Sequence, residues 1–196
     1  LNVPPHKPDW LVRPTSTEQV ARVLALANQH KIPVTARGSG TGLSGACVAR
    51  RGGILLSFER MKRILEIDIE NHVAVVQPGV TLAELDDATR AHGLVYPILP
   101  GEISGSIGGN VATNAGGMQA IKYGVTRHNV LGLEAVLPSG EVIRSGGKFV
   151  KASTGFDLTQ LIIGSEGLLA IVTEVTVRLR PRLTERATLL LPFATL

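Results

Sequence analysis

Two glycine-rich runs carry the residues best suited to hold an anion. The first, ARGSGTGLSG, spans Ala36 to Gly45, and the second, GSIGGNVATNAGG, spans Gly105 to Gly117. Glycine leaves backbone N–H groups uncovered by a Cβ atom, so a ligand can approach the main chain closely. Successive N–H groups in such loops form concavities that suit phosphate. Arg37 directly precedes the first glycine of the first run, and Ser39, Thr41 and Ser44 lie among its glycines. Asn110, Thr113 and Asn114 add polar groups to the second. Two such loops in a chain of 196 residues point to one long ligand with a pyrophosphate in its middle, as in a dinucleotide.

The stretch Gly40-Thr41-Gly42-Leu43-Ser44-Gly45 matches G-x-G-x-x-G letter for letter, but that fingerprint counts only where its last glycine opens a helix. Only Ala46 to Arg51 separate Gly45 from Gly52-Gly53 and the next strand, which leaves no room for a crossover helix. No Gly-Lys-Ser/Thr follows, so the run is not a P-loop. Its bland alternative is a flexible linker; for the second run it is a tightly packed turn and short helix. Ile107 to Ala112 reads as a helix whose N-terminus faces an anion. Gly164-Ser165-Glu166-Gly167 fails as a nucleophile elbow, because Ser165 directly follows Gly164 and a strand comes next. It reads as a plain turn or a cofactor contact. His6, His30, His72, His92 and His128 are dispersed without metal-ligand spacing; His128, beside Arg127 and near Tyr123, stands out most. Cys47 reads as a small buried filler.

The elements that must position these loops fall into two parts. Residues 1 to 14 are Pro-rich and read as an extended arm. Ser16 with Gln19 fits a capping box. Val20, Val23, Leu24 and Ala27 then recur at helical spacing, giving an amphipathic helix over residues 17 to 31 that Pro33 stops. Val34 to Arg37 is a strand leading into the first run, and Gly53 to Phe58 and Ile64 to Ile69 are two more. This opening third is β/α-like, a helix on a small sheet. His72 to Gln77 is a strand, Pro78-Gly79 a turn, and Thr81 caps a helix that runs to His92 and stops at Gly93. Leu133 to Leu137 and Glu141 to Arg144 flank Pro138-Ser139-Gly140 as a hairpin. Leu168 to Leu179 alternates as a long, half-exposed strand. The second part is therefore mainly antiparallel β with inserted helices, and the whole is α+β. The expected division is one lobe over 1–69, a second over 70–182, and the start of a further domain over 183–196, where Leu189 to Pro192 is an apolar run without a visible partner.

Bulk composition narrows the function classes. Apolar residues make up 44% and charged residues 18%, a globular balance. No stretch approaches the about 20 apolar residues of a membrane-spanning helix. One cysteine excludes an intrachain disulfide and fits a reducing compartment. The net charge of +4 comes from scattered basic residues with only 4% aromatics, which argues against a nucleic-acid surface. A cytoplasmic or peripherally membrane-associated protein is expected.

At five ordered motifs the chain becomes recognisable: RGSGTGLSG, PGVTLAEL, SIGGNVATNAGG, YGVTRHNVLGLEAVLPSGEV and TGFDLTQLIIGSEGLLAIVTEVTVRL. Over residues 10 to 182 it resembles the PCMH-type FAD-binding domain of the vanillyl-alcohol oxidase/p-cresol methylhydroxylase superfamily. The similarity is greatest to the branch with the D-subunit of glycolate oxidase and FAD-linked D-lactate dehydrogenases. The resemblance implies two α+β lobes with FAD extended between them. It assigns Arg37, Gly38, Ser39, Gly40, Thr41, Gly42 and Ser44 to the pyrophosphate, and Pro78 and Gly79 to the adenosine half. Pro100, Gly101, Ser104, Gly108, Gly109, Asn110, Thr113, Ala115 and Gly116 would line the pyrophosphate, ribityl chain and isoalloxazine. Glu166, Gly167, Ile171 and Val172 would enclose the adenine side. Ala46 stands where many relatives have glycine. Positions 36 to 47 hold no histidine, so noncovalent FAD is expected.

The implied chemistry is oxidation of a 2-hydroxy acid, glycolate or D-lactate, by hydride transfer to flavin N5 while a base takes the hydroxyl proton. The base, a carboxylate-binding arginine and any divalent metal would lie in a C-terminal cap domain outside this sequence. No catalytic residue is therefore nominated. The expected partners are the small-molecule substrate, an electron acceptor of unspecified kind and subunits of an oxidase complex. Three alternatives stay open: another alcohol or sugar-lactone oxidase on the same domain, a module for a different dinucleotide, or a noncatalytic domain that has kept the fold.

Overall fold

The computed structural model describes residues 6–185 and 187–193. Where an extended arm is expected, a short strand forms: β1 (Trp10–Val12) lies parallel to β3 (Ile54–Ser57), whose other edge takes β2 (Val34–Arg37), also parallel. Three residues are too few to show alternation, and β1 exists only because β3 offers it a distant edge. Residues 1–5 of the expected arm lie outside the described residues.

Helix α1 (Thr17–His30) connects β1 to β2. Ser16 Oγ caps it by accepting the N–H of Gln19 at 3.4 Å. The reciprocal bond of the expected capping box lands one residue earlier, because Gln19 Oε1 accepts the N–H of Thr15 at 2.8 Å. Lys31 turns left-handed and closes the helix before Pro33 is reached. Val20 and Leu24 pack on Leu56, Phe58 and Met61, and also on Val136 and Ile171 from the larger sheet, so both sheets share this core.

The chain continues through β4 (Ile64–Asp68), β5 (Val73–Val76), α2 (Leu82–Arg90), β6 (Leu94–Val95), α3 (Ile107–Thr113) and α4 (Ala120–Tyr123). A 3-10 turn at Thr126–His128 then precedes β7 (Val130–Val136), β8 (Val142–Gly146), α5 (Leu158–Ile162), β9 (Ile171–Arg178) and β10 (Arg180–Pro181). Five strands form an antiparallel sheet in the order β4-β5-β9-β7-β8, and β6 pairs with β10. Thus β4, grouped by sequence order with the opening third, is an edge of the larger sheet. The expected hairpin is β7–β8.

The long strand proves shorter and more buried than its alternation suggests. β9 is the central strand, flanked by β5 and β7, and Thr173, Val175 and Val177 are almost fully buried. Helix α2 has a full capping box, with Glu84 N–H on Thr81 Oγ1 at 3.1 Å and Thr81 N–H on Glu84 Oε2 at 2.9 Å. It ends at Arg90 rather than His92, because Gly93 folds back to the Arg90 carbonyl at 3.0 Å. The apolar residues of 189–193 are exposed.

One polar cluster fastens α1 to the larger sheet. Glu134 on β7 is buried and accepts Thr17 Oγ1 at 2.6 Å, Thr173 Oγ1 at 3.0 Å and Arg144 Nη2 at 2.6 Å. Burial alone would raise its pKa. The hydrogen bonds from Thr17, Arg144 and Thr173 overcome that, and hold it below the ordinary carboxylate value. Glu174, directly opposite on β9, is pushed upward by its own burial and by the charge of Glu134.

Candidate functional site: a cleft between two glycine-rich segments

Three segments meet around α3. In the second run Ser106 caps α3 through its Oγ, and α3 ends at a left-handed Asn114. The Ile107 and Gly108 N–H groups bond to the carbonyls of Val80 and Pro78, both at 2.8 Å. The quartet 164–167 docks on the other end of the helix: Gly164 N–H reaches the Val111 carbonyl at 2.9 Å and Glu166 N–H the Ala112 carbonyl at 2.8 Å. Gly164, Glu166 and Gly167 all have positive φ, which explains the two glycines. Glu166 itself (φ +52°) holds a conformation that costs a non-glycine residue about 1 kcal/mol or more. The first run arrives from β2 as an irregular loop, and no helix follows Gly45 before β3, as its spacing requires.

Between these segments lies a cleft of about 510 Å³. From the first run it is lined by Gly38, Ser39, Gly40, Thr41, Gly42 and Ser44. Pro78, Pro100, Gly101, Gly108, Gly109, Asn110, Thr113 and Ala115 form another wall, and Glu166, Gly167, Ile171 and Val172 a third. Four residues assigned by the resemblance do not line it. Arg37 packs its guanidinium under Gly40; Gly79 packs against the Phe58 and Met61 carbonyls. Ser104 is exposed, with its N–H and hydroxyl on Glu102 Oε1 at 2.9 and 2.7 Å, and Gly116 packs on Val125.

Sequence reasoning missed Ser106, Ser165 and Phe58, among other lining residues. Ser106 and Ser165 sit inside motifs already singled out, so their position was a usable signal; Phe58 gave none. Cys47 also lines the cleft and is half-buried, not the core filler expected, because the loop that carries it stays at the surface. His128 faces its own turn, accepting the Val125 N–H on Nδ1 at 3.0 Å.

Among the described residues, the lining contains two carboxylates, Glu102 and Glu166, and no lysine, arginine or histidine. Hydrogen bonds from Ser104 hold the Glu102 carboxyl below its ordinary pKa. An anion here must therefore be met by backbone N–H groups and hydroxyls. Asn110 Nδ2 and Ser165 Oγ, in the cleft walls, are buried without a hydrogen-bond partner. Unmade bonds of that kind cost about 1–3 kcal/mol each, which ligand atoms can offset. A Cβ on Gly42 would meet nothing of the protein, and its φ does not demand glycine, so the chain's own packing does not explain that residue. These features fit an elongated phosphate-bearing ligand.

The model of the FAD binding domain matches residues 8–146. The chain belongs to this family. The same domain recurs in an uncharacterized FAD-linked oxidoreductase of Mycobacterium tuberculosis, 61% identical over 99% of this chain and 42% of that protein. A D-lactate dehydrogenase of Archaeoglobus fulgidus is 48% identical over 95% of this chain and 42% of its own length. Among solved structures, 6-hydroxy-D-nicotine oxidase from Arthrobacter nicotinovorans superposes with a TM-score of 0.77 and 26% identity, over 90% of this chain and 37% of that one. The FAD-binding domain thus spans about 42% of the length of these curated relatives. It has the expected α+β, PCMH-type architecture. Among the described residues no helix of the FAD-binding domain is long and apolar enough to cross a membrane.

Proposed function

We propose that this chain is the FAD-binding portion of a flavin-dependent enzyme that oxidises a 2-hydroxy acid of the glycolate or D-lactate type. The cleft built from both glycine runs and the 164–167 turn carries the reading, and the named activity of the Archaeoglobus relative supports the substrate class. Bound FAD supplies the hydride acceptor. The first run, through Gly38 to Ser44, holds the pyrophosphate with backbone N–H groups. Gly108, Gly109 and Asn110 hold the ribityl and isoalloxazine side, and Glu166, Gly167, Ile171 and Val172 enclose the adenine side. Arg37, Gly79, Ser104 and Gly116 act on the loops rather than on the ligand. The cofactor is held noncovalently. The groups that take the substrate's hydroxyl proton and bind its carboxylate belong to other parts of the enzyme: among the described residues the cleft lining has no histidine, lysine or arginine to bind a carboxylate, and its own two carboxylates, Glu102 and Glu166, would repel one. An electron acceptor and partner subunits of an oxidase complex complete the proposal.

The test uses the purified chain. A flavin absorption band, FAD released on denaturation and a higher thermal midpoint with added FAD are expected. No turnover of D-lactate or glycolate is expected. A colourless protein that FAD fails to stabilise would overturn the cofactor assignment. Flavin that stays with the denatured chain would overturn noncovalent binding, and measurable turnover would overturn the division of labour.

A further inference from the structure

The two glycine runs meet at one hydroxyl. Ser106 is 2% exposed, and its Oγ accepts the N–H of Ser39 at 3.3 Å and that of Gly109 at 3.2 Å. Among the described residues, the Ser39 bond is the only hydrogen bond that residues 39–44 make to the rest of the protein. A Cβ on Gly38 would lie 2.1 Å from the same oxygen, so glycine at 38 is what lets the hydroxyl reach the loop. Thr41 also leans towards this junction, its Oγ1 3.6 Å from where a Gly105 Cβ would stand.

An irregular loop loses conformational freedom when it closes on a ligand, and a loop already held in place loses less. We infer that Ser106 is a positioning residue that staples the first run to α3 and so preforms the FAD cleft; this rests on the FAD reading above. A side chain that only capped α3 would act on the helix alone. The staple acts on a loop 67 positions away in sequence.

The experiment compares Ser106→Ala, Gly38→Ala, the double variant, and Ser16→Ala, which removes the unrelated cap of α1. The readouts are amide hydrogen exchange at Ser39 without FAD and the FAD dissociation constant from flavin fluorescence. Ser106→Ala is expected to abolish Ser39 protection and weaken FAD at least tenfold. Ser16→Ala should change neither, although it lowers the thermal midpoint. Gly38→Ala displaces the hydroxyl without deleting it, and should also weaken FAD at least tenfold; added to Ser106→Ala it should cost less than threefold more. Unchanged Ser39 exchange, or an affinity loss under twofold in Ser106→Ala, would overturn the staple. Should Ser106→Ala fail to fold, Gly38→Ala decides by the same two readouts. If the parent protein binds no FAD, the cofactor reading falls, and Ser39 exchange still decides the contact.

Discussion

The two glycine runs look alike in sequence and differ in what requires their glycines. In the second run the protein's own packing requires them. A Cβ on Gly117 would lie 1.9 Å from the Leu99 carbonyl oxygen, and one on Gly108 would lie 2.5 Å from Pro78 Cβ. In the first run, Gly42 has open space around it; Gly40 (φ +77°) is required by its backbone conformation, with the Arg37 side chain nearest to it, and Gly38 faces the Ser106 hydroxyl rather than rigid backbone. One run is a wall of the fold, and the other is a loop leaned against that wall. Glycine content alone therefore does not report ligand contact. It reports close approach, and the approaching partner can be backbone or cofactor.

Substitutions break this comparison if it is wrong. The largest effect belongs to Gly117→Ala. With a rigid carbonyl in the way, about 3 kcal/mol of stability should be lost, read from the urea midpoint; a loss below about 1 kcal/mol would mean that the wall is not rigid.

Next comes the joint between α1 and the larger sheet. Glu134→Gln should cost about 2 kcal/mol at neutral pH, because the carboxylate's bonds to Thr17, Thr173 and Arg144 are weakened or lost. The folded-state pKa of Glu134 lies below its unfolded value, so its contribution is full above the ordinary carboxylate pKa. It disappears as pH falls through the lower, folded value. Urea midpoints of the parent and the variant should therefore converge in acid, and a gap independent of pH would refute the assignment.

The smallest stability effect belongs to Gly42→Ala. It should leave folding within about 0.5 kcal/mol, with a slight gain from a stiffer unfolded chain, yet weaken FAD severalfold by titration. Unchanged affinity would place Gly42 outside the ligand's reach.

Much of the fold was legible in the sequence because local rules and burial agree there. The stripe Val20, Leu24 and Ala27, the cap at Ser16, the β7–β8 hairpin and the absence of a helix after Gly45 all follow from short-range chemistry. The two glycine runs were legible as cleft walls for a similar reason, because glycine clusters mark close backbone approach, whereas the residue-by-residue assignment, with Pro78, Pro100, Glu166 and Ile171, came from the family resemblance. What was misread depended on distant partners. β1 needs the edge of β3, β4 needs β5, and the burial of β9 comes from its central place in the sheet.

By itself, the sequence determined the longer elements, α1, α2 and the strands β2 to β5 and β7 to β9, the two runs that wall the cleft and the exclusion of a dinucleotide crossover helix. Spacing and backbone freedom are written into consecutive residues. Only the tertiary structure decided which glycines serve packing, that Arg37 lies outside the cleft, and that Ser106 joins the two runs. Those outcomes depend on distances of a few ångströms between residues far apart in the chain, and no local pattern encodes such distances.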